Sequence, residues 1–208
     1  MRSPFRAVLV VAVLVLALGG VALLRAAPAR RDLGPQPAAG RVARLAAGMT
    51  VIPEDRRRPL PAWAGTTLDG TRFDLTSLRG HVAVVNFWGS WCGPCRSEQA
   101  ALQQASRELA GQGVRFVGVN VRDNRADALA FLRQYRVSYP SLDDQPGELA
   151  AKLGSLGPVG PPYTLVVDAQ GRVAAQVQGA LNAGQGPVGV QVAQLRDLVD
   201  QVSGTAGR

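Results

Sequence analysis

"NFWGSWCGPCRSE", residues 86–98, holds both cysteines of a 208-residue chain. They stand two residues apart, directly after an apolar run and beside a tryptophan. The run before them, "HVAVVNFW" from His81, is nearly continuous in apolar residues, the pattern of a central strand covered on both faces. From about Gly93 to Ala110 the apolar residues recur at helical spacing, with Gly111 and Gly113 as the stop. Cys92 therefore sits where a buried strand ends and a helix begins. Its sulfur faces unpaired backbone N–H groups and the positive end of the helix dipole. Thiols in such settings drop from about 8.5 into the range of roughly 3.5–7.5, where the nucleophilic thiolate is present at neutral pH. Cys95 lies one helical turn on, close enough to close a disulfide without backbone movement. Pro94 is tolerated there because a first turn needs no N–H donor.

A Cys-x-x-Cys pair has two other common uses. A closed zinc site needs four ligands, and His81 is the single imidazole of the chain, so carboxylates would have to be recruited. A staple that closes so short a loop removes little chain entropy. Reversible thiol-disulfide exchange is the use that suits the pair, with no metal and no cofactor.

Working outward, "GTTLDGTRFDL" (65–75) places Asp69-Gly70 between two short alternating runs, the signature of a β-hairpin. Downstream, "VRFVGVNV" (114–121) reads as a strand and the segment after Asn124 as a helix capped by that residue. A short "YPSL" strand and an "ELAAKLG" helix follow. "YTLVVD", "GRVAAQV" and a last helix from about Val188 to Val202 complete the chain. Strands alternating with helices and closed by a hairpin predict an α/β fold with a mixed central sheet flanked by helices.

The N-terminal part has another composition. Ala7 to Leu24 are eighteen residues without a charge, preceded by Arg2 and Arg6. That run is just long enough to cross a bilayer and longer than a usual signal-peptide core. Residues 1–25 are read as a membrane anchor, with a cleaved signal as the alternative because Ala27–Ala29 offer small residues; the protein is secreted in that case. Residues 26–62, rich in Ala, Pro, Arg and Gly, read as a flexible linker, 63–203 as the folded domain and 204–208 as a disordered tail.

Charge follows the same division. Residues 1–60 carry ten Arg against three acids, a balance of +7, whereas residues 61–208 carry thirteen cations against twelve acids, a balance of +1. The folded part lacks the basic face that nucleic-acid binding needs.

The motif "VVNFWGSWCGPCRSE", after a hairpin and an exported tether, resembles the thioredoxin superfamily and within it the membrane-anchored TlpA/ResA branch. The resemblance covers roughly residues 60–203. It implies a thioredoxin-like fold in which Arg122 to Leu153 form a central helical insert. It implies that Cys92 attacks a client disulfide and Cys95 resolves the mixed disulfide, with Gly93 and Pro94 forming the active-site loop. A cis-proline beside the active site is implied too, in the slot of Pro162 with Pro161 as the alternative; Trp91, Pro161, Pro162 and Tyr163 are candidate substrate contacts, Tyr163 being equally readable as a plain strand residue. This sequence departs from the branch in having Pro161 just before Pro162, and a proline there lacks the N–H that relatives donate to substrate. Disulfide-containing clients such as apocytochrome c, a membrane thiol donor, action as a monomer and an extracytoplasmic, membrane-held location are the implied setting. An exported oxidase and a copper-delivery protein of the same fold are the alternatives.

Glu98 is reached from spacing alone. Positions 95, 98, 102, 105 and 109 form one helical stripe, which puts Glu98 on the side of Cys95. Drawn out of water, its carboxyl would have a raised pKa, into the range where it could exchange a proton with a neighbouring sulfur. A solvated acid at the edge of the stripe is the other reading. The branch carries a Glu at this offset, and Asn86 stands where thioredoxins commonly have an acid, which leaves Glu98 as the substitute.

Overall fold

A computed structural model describes residues 48–181 and 186–205 of the chain. The anchor expected over 1–25 lies outside them; among the described residues no helix is long and apolar enough to cross a membrane.

The strands are β1 (Met49–Val51), β2 (Arg58–Pro59), β3 (Ala64–Thr66), β4 (Arg72–Asp74), β5 (Ala83–Trp88), β6 (Arg115–Val121), β7 (Ser141–Asp144), β8 (Tyr163–Val167) and β9 (Arg172–Gln178). The helices are α1 (Gly93–Ala110), α2 (Arg125–Gln134), α3 (Glu148–Lys152) and α4 (Val188–Thr205). One sheet runs in the order β1-β9-β8-β5-β6-β7, with β2 also paired to β9. β5, β6 and β7 are parallel neighbours, while β8 and β9 are antiparallel, which gives the mixed sheet expected from the sequence.

Every residue of β5 is buried, as a strand covered on both faces requires. Its side chains alternate between two cores. Val84 joins Leu102, Ala105 and Leu109 of α1 and Leu195, Leu198 and Val202 of α4. Ala83, Val85 and Phe87 point the other way, toward Leu75, Leu78, Leu149 and Leu153. Each leucine closed off in this way contributes about 1.5–3 kcal/mol. Asn86 and Trp88 share the parity of Val84, so β5 directs an amide and an indole at α1. Gly118 of β6 allows that indole in: a Cβ there would lie 2.4 Å from Ser141 Oγ and 2.8 Å from Trp88 Nε1.

The hairpin β3–β4 turns at Asp69-Gly70, with Gly70 at φ +94° and its N–H donated to Thr67 O at 2.9 Å. It then covers the outer edge of β7, where Leu68 N donates to Ser141 O at 2.7 Å.

Three boundaries differ from the sequence reading. Residues 48–62 were expected to be linker, yet β1 and β2 pair with β9 there. Arg57 is buried against Asp168, and that contact holds the segment down. The "YPSL" strand begins at Ser141, two residues after the apolar pattern, because Pro140 has no N–H to give a ladder. The tail expected from 204 still belongs to α4 at 204–205.

Candidate active site

β5 ends at Trp88, and the next four residues carry the chain to α1. Cys92 is the N-cap of α1, in extended backbone at φ −81° and ψ 108°, and its Sγ accepts the Cys95 N–H at 3.1 Å. An N-capping sulfur receives the positive end of the helix directly. Cys92 and Cys95 are joined in a disulfide with Cα atoms 5.2 Å apart. Gly93 and Pro94 are exposed at the helix tip, Cys92 is 4% exposed and Cys95 1%, so the pair presents an edge to solvent at Cys92 and is closed behind it.

The loop before Cys92 is tied to the residues that follow β6. Asp123 accepts from the Ser90 N–H, the Ser90 hydroxyl and Asn120 Nδ2. Arg96 donates to Ser90 O at 2.7 Å. Trp91 donates its indole N–H to Arg122 O at 2.9 Å while its ring stays 56% exposed. Trp88 is buried instead and stacks on Phe131 with centroids 4.6 Å apart. The sequence carried no signal for the Asp123 clamp, because it joins residues 33 apart through a turn whose geometry no periodicity encodes.

Glu98 lies in the stripe with Cys95 and is 1% exposed, which removes the solvated-edge reading. Its Oε1 accepts from Asn86 Nδ2 at 3.0 Å and its Oε2 from the Leu181 backbone N–H at 2.8 Å. Asn86 Nδ2 also donates to Thr164 Oγ1 at 3.0 Å. Burial pushes the Glu98 carboxyl up from the ordinary carboxylate range to about 7, against the pull of the Leu181 and Asn86 donors. Tyr139 is driven well above the usual phenol value, mainly by its own burial.

Trp91, the neighbour of Cys92 in the chain, and Phe87 face Pro161, Val159, Ala150 and Arg122 across an open cleft of about 260 Å³. The Pro161–Pro162 peptide bond is cis, which identifies Pro162 as the cis-proline. Tyr163 does not belong to this surface: it is 3% exposed, and its hydroxyl donates to Leu156 O at 2.6 Å. The first residue of a strand that pairs with Phe87 points its ring into the core, so its expected role as a substrate contact gives way to packing. His81 stands at the start of β5, the opposite end from the cysteines, and lines a separate hollow with Arg115 and Ser138.

Residues 57–176 match the model of the AhpC/TSA family. The chain belongs to that family. It is 36% identical over 129 residues to the thiol:disulfide interchange protein DsbE of Allochromatium vinosum, an alignment covering 61% of this chain and 68% of that protein. To the thiol-disulfide oxidoreductase ResA of Bacillus subtilis it is 29% identical over 113 residues, 54% of this chain and 62% of the relative. Among solved structures, a DsbF homologue from Corynebacterium diphtheriae superposes with a TM-score of 0.65 at 31% identity, covering 76% of this chain and 96% of that one. With its Cys-x-x-Cys pair at the head of α1, this AhpC/TSA member is a thiol-disulfide oxidoreductase related to DsbE and ResA.

Proposed function

We propose that the protein reduces disulfides of exported proteins, apocytochrome c among them, from a position outside the membrane to which its N-terminal segment tethers it. The Cys92 thiolate attacks one sulfur of the client disulfide; that S–S bond breaks and the other client sulfur leaves as a thiolate. Cys95, giving its proton to Glu98, then attacks Cys92, and the first client sulfur is released. Two electrons pass from the enzyme dithiol to the client, and the Cys92–Cys95 disulfide remains. A membrane dithiol returns the pair to its reduced form.

The observation that carries this reading is the burial of Glu98 on the face of Cys95, with a proton affinity near neutrality. A group of that kind can take the proton of a thiol whose nucleophilic form is the thiolate. Trp91, next to Cys92 in the chain, and Pro161 line one open cleft, which suits an extended client segment.

Cys95→Ser tests the assignment. Without the resolving thiol, Cys92 is expected to hold clients as mixed disulfides that survive non-reducing electrophoresis. Acid trapping of thiols in cells is expected to find the pair mostly reduced; a pair found mostly oxidised would reverse the direction and make the protein an oxidase.

A further inference from the structure

Both oxygens of Glu98 hold a donor, Asn86 Nδ2 on Oε1 and Leu181 N–H on Oε2. That arrangement suits the carboxylate, which only accepts. Once protonated, the same group carries an O–H and needs an acceptor, and neither of the two N–H groups can serve. Among the described residues, Asn86 Oδ1 is a buried oxygen with no hydrogen-bond partner. It shares a carbon with Nδ2, so half a turn of the amide brings it to where Nδ2 now meets Glu98.

We propose that Asn86 is the positioning residue for the Glu98 proton: its amide offers Nδ2 to the carboxylate and, turned over, Oδ1 to the acid, with the Thr164 hydroxyl following either face. The proposal rests on the reading that Glu98 serves Cys95. Thr164 can follow because a hydroxyl both donates and accepts. Asn86 and Thr164 are direct neighbours in the β5–β8 register, which keeps the pair together in both orientations. Each orientation leaves one amide atom without a partner. The count of unsatisfied groups therefore does not choose between them, and the charge of Glu98 does. The Leu181 donor belongs to the main chain and cannot turn, which assigns the proton to Oε1.

The other groups facing Glu98 do not supply this function. On its own helix stands the cysteine pair. From the segment before β7 comes Tyr139, whose hydroxyl oxygen accepts from Gln99 Nε2 at 2.7 Å. Asn86, Thr164 and the Leu181 amide, from β5, β8 and the chain just after β9, are neutral.

The test is the titration of the Glu98 carboxyl carbon by NMR in the full chain, alongside the pH profile of disulfide reduction by dithiothreitol. Asn86→Leu removes the donor to the charged form and the acceptor to the neutral one. The first loss is larger because hydrogen bonds to charged groups are the stronger kind, so the Glu98 midpoint is expected to rise by about one pH unit, a tenfold change in the proton equilibrium. Thr164→Val, which keeps shape, is expected to raise it by a smaller amount and stands in if Asn86→Leu fails to fold. Glu98→Gln is expected to flatten the reduction profile. A flattened profile in Glu98→Gln with the midpoint unmoved in Asn86→Leu, or in Thr164→Val where the former does not fold, overturns the role of Asn86 and leaves that of Glu98. An unchanged profile in Glu98→Gln overturns both.

Discussion

Leu181 donates its backbone N–H to Glu98 Oε2 across 2.8 Å, fastening the chain just after β9 to a helix 83 residues earlier. Such a donor favours the carboxylate, yet burial outweighs it and holds the group at about 7 against 4.5 in the unfolded chain. Between those values the folded protein binds a proton that the unfolded chain releases, so stability is full below pH 4.5 and falls until about pH 7. The loss is on the order of 3 kcal/mol. Glu98→Gln is expected to remove that slope and to be more stable than the parent at pH 8. Urea unfolding at pH 4, 6 and 8 measures it; parallel curves for the two proteins would contradict the burial argument.

Arg57 and Asp168 form an ion pair at 3.1 Å with side chains 1% and 0% exposed. Asp168 also accepts from Arg172 Nε at 3.0 Å, so one carboxylate fastens the entering segment to β9. Removing one partner of a buried pair strands the other charge, which costs about 3–5 kcal/mol. Asp168→Asn should lose about that much in urea midpoint analysis, while Arg57→Met with Asp168→Asn together should lose less than the two single changes summed.

That pair also shows why sequence legibility stopped where it did. β5, α1 and the Glu98 stripe were readable because each depends on a period of two or 3.6 residues within one element. The burial of Asn86 against Glu98 follows from the same two periods once β5 is known to cover α1. Arg57 looked like linker charge because its partner is 111 residues away, and the composition around it is that of a tether. Tyr163 stays open in the sequence for a related reason: a strand's first residue can face the groove or the core, and only the pairing with β5 and β9 decides.

Asp123 gathers three donors around the turn that leads into Cys92. Asp123→Ala leaves the buried Ser90 N–H and hydroxyl without their acceptor, a cost of about 1–3 kcal/mol. The exposed indole of Trp91 is held by the neighbouring Arg122 carbonyl, so the same change should loosen it. A shift in tryptophan emission, together with the lowered urea midpoint, is the expected result; unchanged emission would show that Arg122 keeps its place without the clamp.

Pro161 and Pro162 give the rim beside the disulfide a one-sided hydrogen-bonding character. Neither has an N–H. The carbonyl of Gly160 already accepts from Gln178 Nε2 at 3.1 Å, and that of Pro162 from the Gly179 N–H at 3.0 Å. Among the described residues this leaves the Pro161 carbonyl as the free one of these three carbonyls, and a docking segment that uses it must bring the donor. Pro161→Ala adds an N–H at that edge. One further hydrogen bond is worth about 0.5–1.5 kcal/mol, so kcat/KM for an extended disulfide peptide is expected to rise roughly two- to tenfold. Replacing the peptide's matching carbonyl by a group that cannot accept should abolish the gain in Pro161→Ala and leave the parent protein unaffected. A rise that survives that replacement would mean the alanine acts through the fit of the cleft rather than through the new donor.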